Sequence, residues 1–216
     1  MSAATSREIE RRIRALPGLA TARVRAVRRE FSRKLRAAPP REVVALADRL
    51  LSRKAPGLRF LAFEVVAHHR GALASLRPRD LERLGRSLDG WGSVDTFSVH
   101  LMGPAWREGQ VPDGFVRKWA RSKDRWRRRA ALVATVPLNL KSRGGRGDRR
   151  RTLELCRLLA RDRDDMVVKA VSWALRELAK RDPGAVRAFL RQQGDALARR
   201  VRREVRNKLE TGLKNP

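Results

Sequence analysis

One cysteine, three histidines, no tyrosine and 23 acidic residues against 52 basic ones are what this 216-residue chain has little of. A lone cysteine excludes an internal disulfide, and Cys156, set between Leu155 and Leu158 on an amphipathic stretch, reads as a small buried hydrophobe rather than a reactive thiol. His68, His69 and His100 do not form a His/Cys cluster with metal spacing, and the pair His68-His69 reads as a solvated helix end. A Gly-x-x-x-x-Gly-Lys phosphate loop and a Gly-x-Ser-x-Gly nucleophile turn are also missing, which excludes the common routes to nucleotide hydrolysis and serine-dependent acyl transfer. No stretch reaches the ~18 uncharged apolar residues of a membrane span; the best, Ala130 to Leu140, is short and carries Pro137. The start Met1-Ser2-Ala3-Ala4-Thr5 lacks the basic and apolar runs of a secretory signal, so a cytoplasmic protein without a membrane partner is expected.

What is present is positive charge. The formal net charge is +29, spread along the whole chain and not gathered into a tail. Such a surplus repels itself unless a polyanion offsets it, so nucleic acid is the first partner to consider, ahead of the alternative of a solvated arginine-rich face. A 42% hydrophobic content is enough to bury a core, as one large domain or a short repeat array, and a single domain over residues 1–216 is expected.

Nearly every segment has helical period and nothing alternates as a strand does. Thr5 with Glu8 forms a capping-box pattern before Ile9 and Ile13, and Pro17-Gly18 stops that helix. Val24, Val27, Phe31 and Leu35 form one stripe of a helix from Thr21 to Arg36. Helices follow over Val43–Leu51, Leu58–His69, Pro78–Leu88, Ser93–Met102 (ended by Gly103-Pro104), from Pro112 to Arg121, and Asp124–Leu140. A basic turn, Ser142-Arg143-Gly144-Gly145-Arg146-Gly147, comes next. Asp148 then caps a helix to Arg161, Asp164 or Asp165 caps one to Lys180, Pro183 opens another, and the last fades by Gly212. About twelve helices joined by short breaks pair into about six antiparallel hairpins at 30 to 40 residues each, the period of an α-solenoid, with a compact bundle as the alternative. In a solenoid, one helix of each pair lines a concave face, and Lys/Arg there form a groove for a polyanion.

Candidate chemistry rests on tryptophan among charge. Of Trp91, Trp106, Trp119, Trp126 and Trp173, most are expected in the core. Trp91 precedes Asp95 by four residues, so the two share a face if the helix already includes Trp91; if Ser93 is the N-cap, Asp95 merely complements the helix dipole. Trp126 precedes Arg127-Arg128-Arg129, and Trp173 has Lys169 and Arg176 on its adjacent turns.

At these residues the chain resembles the AlkD-like DNA alkylation repair family. The resemblance is carried by Trp91-Gly-Ser-Val-Asp95 followed by His100-Leu-Met-Gly103, by Trp119-x-x-Ser122-x-x-x-Trp126-x-x-Arg129, and by Lys169-Ala-Val-Ser-Trp173-Ala-Leu-Arg176-Glu177. It covers about Leu81 to Gly212, and the earlier helices by pattern only. It implies HEAT-like repeats, an all-α fold whose basic concave groove holds a damaged duplex, and Trp91, Asp95 and Trp173 against the lesion's sugar and backbone, with Arg129 helping to hold that backbone. Gly90 stands where some active members have a further Trp, and the tyrosine that active members use among the early helices is absent.

The implied activity is a monofunctional DNA glycosylase that hydrolyses the N-glycosidic bond of cationic N3- or N7-alkylpurines without base flipping. The chemistry is consistent with the residues. Such a base already carries positive charge and leaves as a neutral molecule, so no general acid, metal or cofactor is needed. A carboxylate near the sugar stabilises the oxocarbenium-like centre and orients water, and indoles add quadrupole attraction of about 0.5–2 kcal/mol each. Lys118, Lys169, Arg176 and Trp126 are further candidates for DNA contact. The expected partner is double-stranded DNA, alkylated or branched, bound by a nucleoid-associated monomer; a non-catalytic module reading DNA shape through the same groove is the alternative.

Overall fold

The computed structural model describes residues 3–53 and 55–216, and every regular element among them is helical. The chain divides into two compact units, Met1–Leu88 and Asp89–Pro216.

The first unit contains α1 (Ala3–Arg14), α2 (Thr21–Lys34), α3 (Pro40–Leu51), α4 (Leu58–Ala67), α5 (Arg70–Ser75) and α6 (Pro78–Leu84). Its core follows the apolar stripes: Ile9 and Ile13 of α1, Val24, Val27 and Phe31 of α2, and Val43, Leu46, Ala47 and Leu50 of α3 are buried. Thr5 lies inside α1 rather than at its cap, because the helix already runs from Ala3. The helix expected over Leu58–His69 ends at Ala67. His68 is the exposed end of α4, as expected, with its Nδ1 2.8 Å from the Glu64 carbonyl, and His69, half-buried, begins the next helix: its Nδ1 accepts from Ala72 N–H at 3.0 Å as the N-cap of α5.

The second unit contains α7 (Trp91–Phe97), a π-helical turn (Ser98–Met102), α8 (Gly103–Arg107), α9 (Asp113–Ala120), α10 (Arg125–Val133), α11 (Val136–Asn139), α12 (Arg149–Leu158), α13 (Asp165–Ala179), α14 (Pro183–Gln193) and α15 (Arg199–Thr211). α10 packs on α7 and on α13, and α13 packs on α15, so these four helices form one row. α9, α12 and α14 form a second, with α9 against α10, and α12 and α14 against α13. Asp148, Asp164 and Asp182 accept from backbone N–H groups at the starts of α12, α13 and α14, and Gly212 ends α15 in the left-handed region at φ +76°.

Several expected helix ends are shifted by a few residues, and two breaks differ in kind. Gly103-Pro104 does not end the helix before it; the wider π turn absorbs the hydrogen bond that Pro104 lacks, and the helical path continues to Arg107. Gly103 is needed there because a Cβ would lie 2.3 Å from Pro137 Cγ and 2.6 Å from the Ala134 carbonyl. The helix expected over Asp124–Leu140 breaks at Ala134-Thr135, and Pro137 sits in the first turn of α11, where no N–H is required.

Candidate active site

Trp91 is the first residue of α7, because Gly90 and not Ser93 is the N-cap; the Ser93 hydroxyl donates to the Gly90 carbonyl at 2.9 Å. Trp91 and Asp95 therefore stand one helical turn apart. Trp91 is 63% exposed, whereas the Asp95 side chain is 18% exposed. A large indole left in water at the head of a helix, above a mostly buried acid, is an arrangement that core packing does not explain.

Asp95 is held by Arg129 of α10. Arg129 Nε donates to Asp95 Oδ1 at 2.9 Å and Nη2 to Oδ2 at 2.8 Å, a bidentate fork, while Nη1 donates to the Met166 carbonyl of α13 at 2.6 Å. Three neighbouring helices of one row thus meet at a single guanidinium. Burial pushes the Asp95 carboxyl above its ordinary value, and the hydrogen bonds and charge of Arg129 pull against that shift. Arg129 itself is buried. Its role is wider than the backbone contact expected of it: it fixes the acid, and only the N–H groups left on Nη1 and Nη2 remain for a phosphate.

Trp173 lies on α13, half-buried. The cations expected to flank it are directed elsewhere. Lys169 Nζ pairs with Asp165 Oδ2 at 2.6 Å, and Arg176 Nε donates to the Ser172 hydroxyl at 3.2 Å. That hydroxyl donates in turn to Glu204 Oε2 at 2.6 Å. Arg200 links the two ends of the chain, through Nη1 to Asp165 at 3.1 Å and Nε to Glu204 at 2.9 Å. Glu204 is 2% exposed; burial raises its carboxyl, but the Ser172 and Arg200 hydrogen bonds and the charges of Lys214 and Arg200 bring it below the ordinary value. Among the described residues no cation lies over the Trp173 ring, whereas Arg125 lies 4.8 Å above that of Trp126.

The remaining expected residues divide. Trp126 is half-buried near the start of α10, three residues before Arg129. Lys118 is exposed on α9, in the second row and not in the row that carries Asp95. Trp106 and Trp119 are core, Trp119 stacked on Phe97 at 5.6 Å. Cys156 is fully buried and its thiol is pushed up by desolvation, as its apolar setting suggested. No cluster of metal-ligating side chains occurs among the described residues, and no helix among them is long and apolar enough to cross a membrane. Sequence reasoning missed Asp165, Arg200 and Glu204. The Asp165/Lys169 and Arg200/Glu204 spacings of four are a helical ion-pair signal that could have found each pair, but not their union.

The fold is all-helical among the described residues, and an acid, the guanidinium that pairs with it and an exposed indole lie on one row of helices of a strongly basic chain. The chain belongs to the DNA alkylation repair enzyme family, whose model matches residues 3–209. In fold it is similar to a protein described as a predicted DNA alkylation repair enzyme from Enterococcus faecalis, with a TM-score of 0.72 and 14% identity over 97% of this chain and 94% of that one. No curated protein matches the chain.

Proposed function

We propose that the protein is a monofunctional DNA glycosylase that releases cationic N3- or N7-alkylated purines from duplex DNA without flipping them. The observation that carries this reading is the Asp95 carboxylate, mostly buried and held at both oxygens by Arg129, one turn below the exposed Trp91. A carboxylate forked by a guanidinium cannot turn away. It presents fixed negative charge where positive charge develops on the deoxyribose as the glycosidic bond breaks, and such preorganised charge needs no rearrangement during reaction. The bond electrons leave with the base, which becomes neutral, so no proton donor has to reach it. Water adds to the sugar carbon and loses its proton, with Asp95 in the role of acceptor. Trp91 and Trp173 supply indole faces for the cationic sugar or base. In this reading the row α7, α10, α13 and α15 is the inner, DNA-facing layer of HEAT-like repeats, and the protein works as a cytoplasmic monomer on double-stranded DNA.

A second reading is favoured by the same fork: an acid paired to an arginine has lost most of its outward field, as in a purely structural ion pair. The protein would then hold DNA through phosphate contacts without cleaving any bond. Incubation of alkylated duplex DNA with the wild type and with Asp95→Asn, followed by chromatography of released bases, separates the two. Excision that falls at least tenfold in the variant, about 1.4 kcal/mol of barrier, with DNA affinity kept, supports the enzyme. No base released by either protein supports the binding module.

A further inference from the structure

The first unit carries a groove that the site above does not use. It is lined by Ala26, Arg28, Arg29, Ser32, Arg33, Arg36 and His68, with a volume of about 640 Å³ and no acidic residue among its lining. Arg29, Arg33 and Arg36 succeed one another at helical spacing, on α2 and the turn after it, opposite the buried stripe of Val27, Phe31 and Leu35. All three side chains are exposed and make no hydrogen bond or ion pair among the described residues. Beneath them, the Ser32 hydroxyl and Arg28 Nε are closed off from solvent and make no hydrogen bond. Arg28 Nε lies 3.4 Å from the Glu64 carboxylate, close enough to be held in place but outside hydrogen-bond geometry.

Buried donors without an acceptor are rare in folded proteins, and each points to a group that completes it. Here the Ser32 hydroxyl lies beneath three exposed cations, while Arg28 Nε faces Glu64 Oε2, itself without a hydrogen bond, at 3.4 Å. We propose that this groove is a second phosphate site, which takes a backbone phosphodiester of duplex DNA: the phosphate oxygens accept from Ser32 and Arg28 below and pair with Arg29, Arg33 and Arg36 around. Arginine forks match phosphate geometry, and the helical spacing sets the guanidiniums around one concave space. The proposal rests on DNA as the partner, but not on the chemistry at Asp95.

The test measures affinity of the full chain for an undamaged duplex against salt concentration. Arg29→Ala/Arg33→Ala should weaken binding and lower the slope of log K against log salt by about 1, the loss of one phosphate contact. Arg187→Ala/Arg191→Ala, an equal loss of charge on α14, is the comparison. Ser32→Ala, which keeps the charge and removes an unsatisfied polar atom, should weaken DNA binding while leaving thermal stability equal or higher. Equal losses in the two double variants, together with unchanged affinity in Ser32→Ala, would overturn the site. Titration with inorganic phosphate, followed by phosphorus NMR, distinguishes the source: phosphate bound in this groove by a protein whose groove variants keep full DNA affinity overturns the DNA assignment. Base release is read separately. A wild type that releases no base while the groove variants lose affinity would refute the glycosylase and leave this site standing.

Discussion

Arg129 holds Asp95 through both carboxylate oxygens, at 2.9 and 2.8 Å, and uses its remaining terminal nitrogen on the Met166 carbonyl of the next helix in the row. The acid is therefore oriented by a residue 34 positions away, and any function of Asp95 depends on that guanidinium. Arg129→Lys keeps the charge but cannot form the fork. We expect excision to fall at least tenfold in this variant. A positioning role has a further signature in pH. Asp95 acts ionised, so activity is lost as pH falls through its pKa. Burial already pushes that value up and Arg129 restrains it, so weakening the fork moves the acid limb of single-turnover excision to higher pH. An unmoved limb with wild-type rates would remove Arg129 from the site.

Trp91 and Trp119 should separate contact from packing. Trp91 is 63% exposed, so Trp91→Ala should change unfolding free energy by no more than about 0.5 kcal/mol while weakening binding and excision of alkylated DNA. Trp119 is fully buried against Phe97 and Phe115, and Trp119→Ala should cost about 3–5 kcal/mol. Urea denaturation of both variants alongside duplex binding decides it; a destabilised Trp91→Ala with normal binding would assign Trp91 to the fold.

The second unit has an acid whose work is structural. Asp113 accepts from Trp106 Nε1 at 2.8 Å, from Arg151 Nε at 2.9 Å and from Arg150 Nη2 at 2.7 Å. Burial raises its carboxyl, but the Arg150 and Trp106 hydrogen bonds and the charges of Arg151 and Arg150 outweigh that and hold it down, from 3.8 to about 2. A folded value below the unfolded one means that the group's stabilisation is present above the unfolded pKa and is lost as pH falls from about 4 towards 2. The shift corresponds to at most roughly 2 kcal/mol, less what solvent screening removes at this part-exposed group. Asp113→Asn should lower unfolding free energy by about that amount at pH 7, and the gap to the wild type should close across this acid window; a constant gap would show that lost hydrogen bonds, not charge, are responsible.

How far the sequence reached follows from the range of each interaction. Asp148, Pro183 and Gly212 marked helix ends correctly, and Asp164 is the cap of the two aspartates offered there, because capping is decided within one turn. The shared face of Trp91 and Asp95 was legible for the same reason, although only the structure showed that the helix includes Trp91 and is not capped by Ser93. The Asp95–Arg129 fork and the chain from Lys169 to Glu204 join different helices, and no periodicity along one helix encodes them. Asp113 was silent: an acid seven residues after Trp106 has no meaning until α12 brings Arg150 and Arg151 to it. The passage through Gly103-Pro104 was misread because its cause is tertiary, the close approach of α11.

Two glycines of the second unit test that last point from opposite sides. Gly103 meets Pro137 Cγ and the Ala134 carbonyl at 2.3 and 2.6 Å from any added Cβ, and backbone cannot move aside as a side-chain tip can. Gly103→Ala should therefore push α8 and α11 apart, costing about 1–3 kcal/mol or more in urea denaturation. Gly90, the cap of α7, is extended at φ −160° with nothing within 4 Å of its added Cβ, so it needs no glycine. Gly90→Trp, which adds an indole next to Trp91, should leave stability within about 0.5 kcal/mol of the wild type. If the added ring then tightens binding to alkylated over undamaged duplex, the surface beside Trp91 faces the lesion; equal affinity for both duplexes would place the lesion elsewhere.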